Sequence, residues 1–132
     1  MAFLQLPIFY NFIIMNLVLK LEGLAFLILG TFLFQQTSQP WWLFAALFFA
    51  PDLSMIGYAF NNKVGAALYN LFHHYGVAVA LFLASFYFEW SLGQSLAYIL
   101  VAHIGFDRLL GYGLKYTKGF HYTHLGTIGK KA

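Results

Sequence analysis

The 132-residue sequence contains no cysteine, which removes disulfides, thiolate metal sites and cysteine nucleophiles and leaves histidine and carboxylate to carry any chemistry. It is also poor in charge. Only 8% of its residues are Asp, Glu, Lys or Arg, against roughly 25% in an average soluble chain. Four acids and seven bases cannot dress the surface of a small soluble domain, which leaves a large share of itself in water. Disorder is excluded by 16 Phe, 9 Tyr and 3 Trp. What the chain does have is apolar length. With 61% of its residues hydrophobic, it is expected to be an integral membrane protein in contact with the lipid bilayer.

Four apolar stretches, at 17–35, 41–60, 64–88 and 92–114, are each long enough to cross a hydrocarbon layer of about 30 Å, which takes about 20 helical residues. They predict an all-α polytopic fold, a four-helix transmembrane bundle over 17–114. Short polar connections at Gln35 to Pro40, Asn61 to Lys63 and Glu89 to Ser91 make successive helices antiparallel and bring Trp41, Trp42 and Trp90 to one interface. Lys63 follows the second span, and Lys115, Lys118, Lys130 and Lys131 lie in the tail, whereas the other two connections hold no Lys or Arg. Both termini are therefore expected on the cytoplasmic side, with 115–132 a basic tail that meets anionic headgroups rather than nucleic acid. Residues 1–16 are apolar but carry Pro7, Asn11 and Asn16, and they lack the basic start and cleavage site of a signal peptide. They are expected to form an interfacial or partly inserted N-terminal helix.

A charged side chain at mid-bilayer costs about 2.5–3.5 kcal/mol on insertion scales. Even so, Glu22, Asp52, Asn70, His73, His74, His103, Asp107 and Arg108 all fall inside the expected spans. Counting helical rise from the cytoplasmic end puts Glu22, Asp52, His73, His103 and Asp107 in one slab about 8–16 Å deep. Unrelated accidents would scatter, so the shared depth predicts a single site opening toward the cytoplasm. His103 and Asp107, four apart, stack on one side of the fourth span, and Asn70 with His73 or His74 does the same on the third. Pro51 is expected to kink the second span beside Asp52. Asp52, His73, His103 and Asp107 then offer a mixed nitrogen and oxygen shell for a divalent metal, Zn²⁺, Mn²⁺ or Fe²⁺. Plainer roles compete with this one. Asp107 with Arg108 and Glu22 with Lys20 are candidate ion pairs, His103 is candidate polar glue between helices, and Tyr58, Tyr69 and Tyr112 are candidate packing residues. Gly105, Gly111 and Gly113 suit close helix approach or a helix end, and His121 and His124 suit a solvated tail.

Several segments together resemble a known family. They are Leu21 to Leu24, Ala50 to Tyr58, Leu68 to His73, Ala102 to Arg108 running on to Tyr116, Gly119-Phe120, and Thr123 to Gly126. In order and spacing they are similar to the small bacterial membrane proteins grouped as domain of unknown function 4260, from about residue 17 to the end. The resemblance implies a bacterial inner membrane and puts Glu22, Asp52, Asn70, His73, His103, Asp107, Arg108, Lys115 and His124 on motif positions. His74 and His121 depart from the pattern, which favours His73 as the functional histidine. A looser likeness runs to membrane-bound metal-dependent hydrolases, whose Pro-Asp, mid-helix His and His-x-x-x-Asp slots are filled here by Pro51-Asp52, His73, and His103 with Asp107.

Together these readings predict a metal site near the cytoplasmic leaflet that hydrolyses an ester or phosphodiester of a lipid-like substrate. Asp52, His103, Asp107 and His124 are the expected catalytic residues, and Arg108, Lys115, Asn70 and Glu22 the expected substrate-binding residues. The alternatives are a proton- or ion-coupled transporter, for which a homo-oligomer would supply the path, a haem protein with histidine axial ligands, or a packing module without chemistry.

Overall fold

The computed structural model describes residues 2–128, with side chains from Pro7 onward; Lys130 and Lys131 of the basic tail lie outside them. Helix α1 (Ala2–Gln35) leads to α2 (Trp41–Leu47), a 3-10 helix (Ala50–Ala59), α3 (Asn62–Phe72), α4 (Tyr75–Tyr87) and α5 (Ser91–Leu109). The chain then forms a hairpin from two short antiparallel strands, β1 (Tyr122–Thr123) and β2 (Gly126–Thr127). Two stretches, Pro7–Gln35 and Trp41–Ala59, are long and apolar enough to cross a membrane, and α3 with α4, bent by 50°, makes a third if the pair is one span. The expected four-span bundle is thus met in part. Helix α5 falls outside that set because it is the buried centre of the fold, carrying Gln94, His103, Asp107 and Arg108.

The expected spans are each shaped by a local cause. Residues 2–16 are helical, as expected, and run on without a break into the first span, giving one helix of 34 residues. Pro7, the sixth residue of this helix, forfeits one intrahelical bond, a smaller loss than breaking the helix in an apolar setting, which would strand several backbone polar groups. The second span changes character at Pro51, which occupies the opening turn of the 3-10 helix, where its lack of a donor is harmless. The third breaks at the two histidines. His73 closes α3, and His74 is extended, its Nδ1 accepting from the Gly76 N–H at 2.9 Å to cap α4.

Helix α1 runs antiparallel along α5 with almost no side chain between them. A Cβ placed on Gly105 would fall on the backbone of Leu27 and Gly23, so only glycine permits this approach. Helix α4 packs on α5 around Ala78, Leu100 and Ile104. Helix α3 packs on the 3-10 helix, and this second half meets α5 along a seam of polar side chains flanked by Phe48 and Phe106. The 36–39 connection and the start of α5 share one polar pocket, so Trp41, Trp42 and Trp90, all largely exposed, lie at one end of the molecule.

Gly111, at φ +89°, ends α5 and turns the chain back. The tail from 115 to 128 is consequently a folded lobe, with Lys115 bridged to Thr123 and only 4% exposed.

Candidate metal centre

Irregular backbone delivers two of the donors and a regular helix the other two. Asp52 follows Pro51 in the first turn of the 3-10 helix, and His73 is the residue on which α3 ends. His103 and Asp107 lie one turn apart on α5. One ligand atom from each of these four residues lies within 4.8 Å of all the others. His73 Nε2 is 3.2 Å from Asp52 Oδ1 and 3.3 Å from Asp107 Oδ2; His103 Nε2 is 3.2 Å from Asp52 Oδ1 and 3.8 Å from Asp107 Oδ1. Both imidazoles are fully buried, while the Asp52 side chain is 30% exposed and forms the accessible edge.

The surrounding hydrogen bonds orient the set. The Tyr69 carbonyl can only accept, so His73 donates Nδ1–H to it at 2.8 Å and turns a lone pair on Nε2 toward the other donors. The Tyr69 hydroxyl donates to Asp107 Oδ2 at 2.7 Å, and its ring stacks on His73 with centroids 3.7 Å apart.

His103 has no such support: its Nδ1 is buried without a partner among the described residues, against Phe48 and Phe49. The two Nε2 atoms face each other at 3.0 Å. A proton on His103 Nε2 would satisfy that contact and orphan the Nδ1 lone pair. A second lone pair there would repel the first unless a cation lay between. Tetrahedral Zn²⁺ with bonds of about 2.0–2.1 Å puts its ligand atoms about 3.3 Å apart, close to the separations found. The donor set could hold a divalent cation.

A cavity of about 330 Å³ stands over the carboxylates, lined by Asp52, Tyr69, Asp107, Lys115, Phe120 and His121 among others. The Lys115 ammonium lies over the rings of Phe120 at 3.9 Å and Tyr69 at 4.8 Å. Burial pushes its pKa down to about 8, with the charges of Asp107 and Asp52 opposing the fall.

The remaining expected site residues stand elsewhere. Asn70 spends its amide on the Lys115 backbone, accepting from its N–H at 2.6 Å and donating to its carbonyl at 2.8 Å. Arg108 braces two carbonyls, donating to His73 O at 2.9 Å and Tyr112 O at 2.7 Å. Glu22 and His124 line a different, small cavity beside α1, and His124 Nδ1 accepts from the Leu114 N–H at 2.7 Å. Neither belongs to the four-donor cluster. Among the described residues every ion pair within 4.0 Å is between a histidine and an aspartate, so neither Asp107 with Arg108 nor Glu22 with Lys20 forms one.

Tyr69 and His121, which the sequence assigned to packing and to a solvated tail, line the cavity beside the donors. Tyr69 precedes His73 by one helical turn, a spacing that could have flagged it; nothing in the sequence distinguishes His121.

A family model described as a domain of unknown function (DUF4260) matches residues 16–128. No curated protein and no solved structure gives a significant match.

Proposed function

The chain belongs to that family of unassigned role, and from its buried donors we propose a membrane-embedded metal centre that hydrolyses an ester or phosphodiester of a lipid-like substrate. The observation that carries this reading is the convergence of four donors within 4.8 Å beneath an accessible cavity. A bound divalent cation would polarise the scissile group and lower the pKa of water at the cavity floor. Asp52, His73, His103 and Asp107 would hold it. Tyr69 fixes the position of Asp107, and the Tyr69 carbonyl fixes the tautomer of His73.

Lys115 is suited to an anionic headgroup, and Phe106, Leu110 and Phe120 offer apolar walls to an attached chain. His121, at the same cavity, is available to donate a proton to the leaving group, whereas His124, expected among the catalytic residues, lines a different cavity. The apolar helices and the lysine distribution support a polytopic protein of the bacterial inner membrane with cytoplasmic termini.

A haem reading is disfavoured by geometry. The two imidazole nitrogens lie 3.0 Å apart with both carboxylates crowded beside them, which leaves no room for a macrocycle between the rings.

Elemental analysis of the purified protein tests the centre. About one divalent ion per chain is expected, lost in His103→Ala and in Asp107→Ala, with phospholipid-ester or phosphodiester hydrolysis lost in parallel. Unchanged metal content in both variants would overturn the proposal.

A further inference from the structure

Between α1, α4 and α5 runs a groove of about 390 Å³ that shares no lining residue with the cavity over the metal donors. Its walls include Leu29, Leu33, Val79, Phe82 and Val101. At one end, Phe26 and Tyr75 line both this groove and a small cavity whose walls include Glu22, Arg108 and His124. That cavity adjoins another of about 170 Å³, which shares Arg108 and adds Lys20, Asn16 and Thr127. The surface is therefore an apolar trough with a charged head.

Two features at the junction call for an occupant. The Tyr75 hydroxyl is buried with no hydrogen-bond partner among the described residues, and a ligand oxygen would satisfy it. Glu22 and Lys20, the charged residues of α1, are exposed, and neither has an ion-pair partner within 4.0 Å among the described residues. An unmatched charge facing hydrocarbon is costly, so polar groups should meet them. The head offers both signs of charge, Lys20 and Arg108 against Glu22. Only two of the five Arg108 N–H groups are spent on carbonyls.

We propose that this groove binds one zwitterionic aminophospholipid from the surrounding bilayer. An acyl chain lies between α1, α4 and α5, an ester or phosphate oxygen accepts from Tyr75, the phosphate meets Lys20 and Arg108, and the amine meets Glu22. The inference rests on the membrane reading of the helices and is independent of the metal centre.

Native mass spectrometry of the full chain released from bilayers of equal phosphatidylethanolamine and phosphatidylglycerol tests it, with metal content measured on the same samples. The wild type should retain one phosphatidylethanolamine. Val79→Trp, at a half-exposed position, should fill the groove and abolish retention, and Tyr75→Phe should weaken it about 2–10-fold without altering the groove. Glu22→Gln should remove the preference for the amine headgroup. His103→Ala should leave lipid retention unchanged, which separates failure here from failure of the metal proposal. The inference is overturned by a wild type that retains no lipid or retains both lipids equally. It is equally overturned by retention that persists in Val79→Trp, or by an unaltered headgroup preference in Glu22→Gln.

Discussion

Replacing Tyr69 by Phe removes one oxygen and little else. The aromatic ring remains to stack on His73 and to lie under Lys115, and the main-chain carbonyl that takes the His73 Nδ1–H is untouched. What disappears is the 2.7 Å hydrogen bond that aims Asp107 Oδ2 at the other donors. Loss of such an outer partner typically lowers metal affinity about 10–100-fold, equivalent to about 1.4–2.7 kcal/mol. That range agrees with the roughly 1.5–3 kcal/mol expected of a hydrogen bond to a charged group.

Competition of Zn²⁺ between the detergent-solubilised protein and a chromophoric chelator at fixed pH measures the effect. The same titration on Asp107→Asn sets the scale, because there the carboxylate itself is lost. If Tyr69→Phe binds as tightly as wild type while Asp107→Asn does not, Tyr69 is only a packing residue and the account of the centre's orientation is wrong.

The buried Lys115 ammonium, with its pKa lowered to about 8, should make binding of an anionic lipid headgroup pH-dependent: its positive charge favours binding and is lost as pH rises through the pKa, so affinity should fall between about pH 7 and 9 in vesicle binding. Lys115→Met should bind weakly and without that pH dependence. Asn70→Ala removes two hydrogen bonds to the Lys115 backbone, so the lobe should loosen by about 1–3 kcal/mol, read as faster proteolysis after Lys118 with α5 intact. Glu89 has φ +53°, a left-handed conformation that costs a side-chain-bearing residue roughly 1–2 kcal/mol. Glu89→Gly should accordingly raise the thermal midpoint in circular dichroism by a few degrees, and a lower midpoint would contradict the assignment.

The donors were legible because a polar residue in an apolar helix has few reasons to be there. Asp52, His73, His103 and Asp107 stand out against their neighbours whatever the exact helix bounds. The i, i+4 spacing of His103 and Asp107 fixed one face of α5, and Pro51 marked the change of backbone beside Asp52.

Hydrophobic pattern was a poorer guide to where helices break. The 64–88 stretch is apolar enough on average to read as one span, yet it divides at His73 and His74, because both side chains take up bonds that depend on the backbone leaving the helix there. Arg108 and Asn70 carry an engagement that the pattern does not reveal. Their type suggested a ligand for an anion, and in the fold each also supplies donors or acceptors to backbone groups near the ends of α3 and α5. The fate of the tail was hidden because two-residue strands leave no periodic signal.

On the membrane reading proposed above, helix α1 would be longer than its surroundings. Its apolar stretch of 29 residues measures about 43 Å, against a hydrocarbon thickness of about 30 Å. Such an excess is relieved by leaning away from the membrane normal or by thickening the lipid nearby, each costing fractions of a kcal/mol per Å. Because the glycine seam joins α1 backbone to backbone with α5, a lean of the first helix would carry His103 and Asp107 with it. On the membrane reading proposed above, bilayer thickness would then act mechanically on the donor cluster, and short-chain and long-chain lipids should present it at different tilts.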